Sequence, residues 1–128
     1  MKTYNNAPQP TAKAAVEFGV STQGKLVDAS NFRDKMISRI TIGYDCDELS
    51  NFAEINLRSN DGVISSFKVN GLTEYLLYDD FLASYISECK LIIQSDTVYL
   101  SLDPYGEQSI IDKDNDNQWF KGRSLTKV

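Results

Sequence analysis

The chain has 128 residues, 41% apolar and 24% charged, with a net charge of −5 and no histidine. That length can bury a core of its own, and that balance is too apolar for a disordered chain. Without histidine there is no Ser-His-Asp or Cys-His nucleophile and no histidine-ligated metal, and no apolar run approaches the length of a membrane span.

Taken in order, residues 1–10 are polar, carry Pro8 and Pro10, and read as an extended arm. Residues 11–128 read as one domain. Thr11 fits the N-cap of a short helix over Ala12–Phe18 that Gly19 would stop. Lys25–Ala29 suits a short strand, and Ser30–Lys35 a turn or a single helical turn. From Met36 the pattern becomes β. Met36, Ser38, Ile40, Ile42 and Tyr44 alternate onto one face, and Ile37, Arg39 and Thr41 onto the other. Gly43–Ser50 is an acidic loop. Ala53, Ile55 and Leu57 then point inward, with Glu54 and Asn56 outward. Asp61-Gly62 marks a hairpin turn, and Val63–Val69 is the next strand.

The stretch Thr73–Glu88, TEYLLYDDFLASYISE, is expected to be the main helix. At roughly 100° per residue, Leu72, Tyr75, Leu76, Tyr78, Phe81, Leu82, Tyr85, Ile86 and Cys89 share one broad face, as on a helix laid over a sheet. A rival reading starts from Asn70-Gly71, a strong hairpin signal. It makes Leu72–Tyr78 a strand and lets Asp79 cap a shorter helix over Asp80–Glu88. Lys90–Gln94 and Thr97–Leu102 form a second hairpin about Ser95-Asp96. Gln108–Asp112 suits a short edge strand, Asp112–Asn117 a polar loop, and Gln118–Leu125 a final strand. The expected fold is α+β: an antiparallel sheet with a main helix on one face.

Charge is uneven along the chain. Residues 36–120 hold five basic and fifteen acidic residues, a sum of −10, whereas residues 1–35 sum to +2. So acidic a surface repels phosphate backbones, which argues against direct nucleic-acid binding and for a protein partner with a basic surface. Candidate partner-binding residues are Asp45, Asp47 and Glu48 in the acidic loop, Asp79 and Asp80, and the pair Trp119-Phe120 beside a basic tail. Asp112, Asp114 and Asp116 alternate as in the first half of an EF-hand loop. The match stops there, because Asn117 holds the glycine position and Arg123 the closing glutamate position. They are the weak candidates in a chain for which no metal and no cofactor is expected. No glycine cluster matches a phosphate loop.

Cys46 and Cys89 are far apart and lack metal spacing, and no secretory leader is visible. Reduced thiols in a cytoplasm are expected. The leading functional expectation is a non-enzymatic acidic module that occupies a partner's surface. In composition it is like compact inhibitors such as immunity proteins or phage-encoded blockers of host defence. One alternative is an assembly subunit forming homo-oligomers through its arm or edge strands. A second is a carboxylate- or metal-dependent enzyme, or a small-ligand binder.

Overall fold

The computed structural model describes residues 2–6, 27–78, 85–106 and 109–128. Its regular structure is antiparallel β. The strands are β1 (Lys2–Asn6), β2 (Lys35–Asp45), β3 (Ser50–Arg58), β4 (Ile64–Asn70), β5 (Glu74–Tyr78), β6 (Tyr85–Ile86), β7 (Lys90–Ile93), β8 (Val98–Asp103), β9 (Asn117–Gly122) and β10 (Ser124–Lys127). One 3-10 turn, Ala29–Asn31, precedes β2, capped by the Asp28 side chain. The strands form two five-stranded sheets, ordered β1-β5-β9-β8-β7 and β10-β4-β3-β2-β6. No helix among the described residues is long and apolar enough to cross a membrane.

The α+β expectation is therefore corrected to an all-β architecture. Glu74–Tyr78 is a strand, as in the rival reading, and Tyr85–Ile86 is a strand where both readings expected helix. The reason lies in where β5 sits. Paired on one side with β1 and on the other with β9, it carries apolar packing on both faces. Tyr75 and Leu77 pack into the core between the sheets, while Leu76 packs on the opposite face. A strand apolar on both faces spreads its hydrophobic residues much as a broad helical arc does, so periodicity alone cannot separate the two. Aromatic Tyr75 and Tyr78 also favour the pleated surface. The expected helix over Ala12–Phe18, and the remainder of the expected main helix over 79–84, lie outside the described residues.

The main buried cluster draws on both sheets. Ala53, Ile55, Leu57, Phe67, Val69 and Leu125 come from one; Val98, Leu100, Leu102 and Phe120 come from the other. This is the face-to-face packing of a β-sandwich. β2 departs from simple alternation. Its register against β3 shifts between Ile37 and Arg39, leaving Ser38 as the extra residue of a bulge. Ile37 and Ile40, expected on opposite faces, thus both pack against the core with Ile42.

Two neighbouring crossings join the sheets. β4 leads into β5 through Gly71, and β9 leads into β10 through Arg123. Asn70 pairs with Ser124 and Glu74 with Lys121 on either side of the crossing. Arg123 N–H donates to Asn70 O and Thr73 N–H to Lys121 O, each at 2.8 Å. Gly122 is required by space. A Cβ there would sit 2.6 Å from Val69 Cγ1 and 2.8 Å from Asn70 O. The expected strand Gln118–Leu125 is thus two strands in different sheets. The expected strand near Gln108–Asp112 does not form over its described residues.

Candidate functional site

The acidic loop is the tip of the β2–β3 hairpin. β2 ends at Asp45 and β3 begins at Ser50, so Cys46–Leu49 make the turn. Asp45 sets its shape: Oδ1 accepts the N–H of Asp47 at 2.9 Å and of Glu48 at 3.2 Å. Such local bonds let Asp hold a turn. Asp47 and Glu48 then point to solvent, and Cys46 is exposed beside them. Leu49 holds a left-handed backbone, φ 53°, and is 71% exposed. That conformation has a steric cost for any residue but glycine, and here it presents an apolar side chain to water. Tyr44, at the end of β2, is 60% exposed. Sequence reasoning found the carboxylates and missed Leu49, although a lone leucine in an acidic loop was the available signal.

Behind the tip lies a cleft of about 120 Å³, bordered by Asp45, Glu48, Phe52, Lys68 and Arg123. Lys68 Nζ is 3.9 Å from Asp45 Oδ2 and 4.5 Å from the centre of the Phe52 ring. That ring lies on Gly43, where a Cβ would come within 2.7 Å of it. A second cleft of about 400 Å³ borders the sheet crossing, with Thr73, Glu74, Thr97, Lys121 and Arg123 among its walls. The first is smaller than ordinary small-molecule pockets. Both are of mixed charge, and the first is mainly polar. Among the described residues no three Cys, Asp or Glu side chains converge as metal ligands would.

No family model matches this chain, and no curated protein or solved structure matches it. The function must be read from the chain's own surface.

The other residues singled out from the sequence are placed differently. Trp119 and Phe120 are both fully buried, so neither can anchor a partner at the surface. Consecutive strand residues point to opposite faces. Phe120 enters the core between the sheets. Trp119 packs on the outer face of the same sheet with Leu76 and Tyr99, its ring centre 5.6 Å from that of Tyr99. Lys113 lies over the indole at 5.8 Å and forms an ion pair with Glu74. Asp79 and Asp80 lie outside the described residues.

The three alternating aspartates do not come together. Asp112 accepts the side-chain amide of Asn115, and Asp114 is exposed. Asp116 is fully buried against Lys90, whose Nζ lies 3.0 and 2.9 Å from its two carboxylate oxygens. The Tyr99 hydroxyl and the Tyr105 N–H each donate to Asp116 at 2.8 Å, and Lys90 also donates to Ile110 O at 2.8 Å. Burial, then the hydrogen bond to Asp116, hold the Tyr99 hydroxyl well above the usual tyrosine range. This cluster fastens the segment after β8 onto the outer face of its sheet. Cys89 is buried, and desolvation pushes its thiol up to about 12. A thiol so placed is inert.

Proposed function

We propose that this chain is a non-enzymatic, acidic protein-binding module that works by occupying a basic partner surface, as a compact inhibitor does. The observation that supports this most is the β2–β3 tip. Asp47 and Glu48 stand in solvent beside Leu49, on a turn pinned from within by Asp45. The charges attract and orient a basic partner over distances of about a Debye length, and the leucine fills a shallow apolar depression on contact. The β3–β4 turn also sets an exposed carboxylate, Asp61, beside exposed Val63 and Ile64, but the β2–β3 tip carries two exposed carboxylates and the more exposed apolar side chain. On this reading the protein acts in the cytoplasm, where unpaired thiols stay reduced.

The test begins with capture from a lysate of the source cell at low and high salt, wild type against Asp47→Lys/Glu48→Lys. Asp45 is left in place because it shapes the loop. The retained protein should be basic and bind less at high salt. The charge-reversed variant should associate with it at least about tenfold more slowly, with a flatter salt dependence. Leu49→Ala should speed dissociation instead. A partner that binds the double variant as fast as the wild type would remove the tip from the interface.

A further inference from the structure

β2 has one edge with little pairing among the described residues. Its length from Met36 to Asp45 pairs with β3 on one edge. On the other edge, among the described residues, only Tyr85 and Ile86 pair with it, at Met36 and Lys35. Beyond the bulge at Ser38, the run Arg39–Asp45 is regular, and its outer backbone groups have no strand beside them among the described residues. An edge of this length with no described strand beside it is a template for another strand.

We propose that this edge pairs with the same edge of a second copy of the chain, antiparallel, about a two-fold axis at Ile42. The chemistry of β2 selects that partner and that register. A two-fold axis keeps each sheet face on its own side, so residues of like face must meet. Centring the pairing on Ile42 uses the entire regular run. It sets Arg39 against Asp45, Ile40 against Tyr44, Thr41 against Gly43, and Ile42 against itself. Arg39 and Asp45 both lie on the outer face, since their β3 partners Asn56 and Ser50 lie in phase with Glu54 and Phe52 there. Arg39 is exposed and makes no hydrogen bond or ion pair through its side chain with any described residue. Asp45 has its Oδ2 oxygen held only by Lys68 at 3.9 Å among the described residues. The dimer therefore gains two opposite-charge cross-strand pairs, one at each end of the interface.

The other face agrees. Ile40 and Ile42 are half-buried in the single chain, and Tyr44 is 60% exposed. In the pair, Tyr44 of one copy covers Ile40 of the other, and the apolar face of the sheet runs on across the axis. A lone charge on an edge strand ordinarily discourages pairing. Arg39 does so for foreign strands, while this register supplies its counter-charge, so the same residue selects the chain's own copy. The sheet of β10-β4-β3-β2-β6 would become continuous through both protomers. Asp47, Glu48 and Leu49 stay outside the paired run, at opposite ends of the dimer, so this inference does not depend on the tip's role.

The experiment is sedimentation velocity of the full chain over about 1–200 µM, with circular dichroism as the control for folding. The wild type should show a concentration-dependent dimer. Arg39→Asp and Asp45→Arg should each weaken it by about tenfold or more, because two attractive pairs become two repulsive ones. The combined swap should recover most of the loss. As a second measurement, Thr41→Cys in a Cys46→Ser background should give a covalent dimer with a short bismaleimide, since diagonal neighbours across such a pair lie about 7–8 Å apart. A wild type that stays monomeric throughout overturns the proposal. So does a dimer indifferent to the single variants, or one that the swap fails to restore.

Discussion

Lys90 opens β7 and carries the most costly side chain to bury among the described residues. Its ammonium and the Asp116 carboxylate are both fully withdrawn from water, and their attraction offsets that loss only because the remaining donors and acceptors are met. Such a pair punishes the loss of one member more than the loss of both. Lys90→Met, which leaves a lone buried carboxylate, should lower stability by about 3–5 kcal/mol in a urea titration. Lys90→Met/Asp116→Asn should cost clearly less than the two single changes summed, because the second change removes the stranded charge. Additivity of the three values would show that the two groups do not act as a unit. The aspartate's partner lies 26 residues away. For that reason a local reading of Asp112, Asp114 and Asp116 finds alternating carboxylates and cannot find the lysine that claims one of them.

At the level of elements, the crossing between sheets hangs on Gly122. Its missing side chain lets β9 pass against Val69 and the Asn70 carbonyl. Gly122→Ala should cost about 3 kcal/mol, since a backbone oxygen cannot swing aside as a flexible side chain can. Gly62, in the β3–β4 turn, offers the contrast. It has φ 87°, and an added Cβ there would meet nothing within 4 Å. Gly62→Ala should cost only about 1 kcal/mol, from the backbone conformation alone. Thermal melts of both variants would separate crowding from conformation, and equal losses would refute the distinction. Several elements are legible in the sequence alone. Ala53, Ile55 and Leu57 alternate cleanly, Asp61-Gly62 marks its turn, and the β7–β8 hairpin lies almost where expected, because each depends on neighbours a few residues apart. β5 reads as helix because its second buried face exists only through β1, β9 and the segment after β8. The bulge at Ser38 and the division at Arg123 leave no local mark either, being set by strands that join from elsewhere.

For the molecule as a whole, two buried acids link stability to alkaline pH. The Cys89 thiol and the Tyr99 hydroxyl have their ionisations raised by burial, the thiol from 9.0 to about 12 and the hydroxyl from 10.0 upward. In the unfolded chain both ionise near their ordinary values, so between about pH 9 and 12 the unfolded state binds fewer protons than the native state. The sign follows: stability is complete below about pH 9 and declines as pH rises, by up to about 1.4 kcal/mol per unit for each group. Urea midpoints across that range should fall for the wild type and fall less steeply for Cys89→Ala. An unchanged slope in the variant would show that the thiol is not the source. The candidate surface is only partly legible at this scale. The density of carboxylates marks the tip, but Trp119 and Phe120 are hidden by packing on two separate faces, which no count of aromatics beside charges reveals.

The place of β9 has a consequence for how the chain is made. Asn117–Gly122 lies between β5 and β8, joining two strands that otherwise share no neighbour, and the next residues cross to edge the other sheet. A nascent chain cannot close the first sheet while those residues are still within the ribosome. β5 and β8 must wait, solvated and unjoined, for a strand translated after both. Folding of this sandwich therefore waits for β9 to leave the ribosome and proceeds through long-range closure, which makes it slow for its size and exposes its apolar strands to chaperones in the interval.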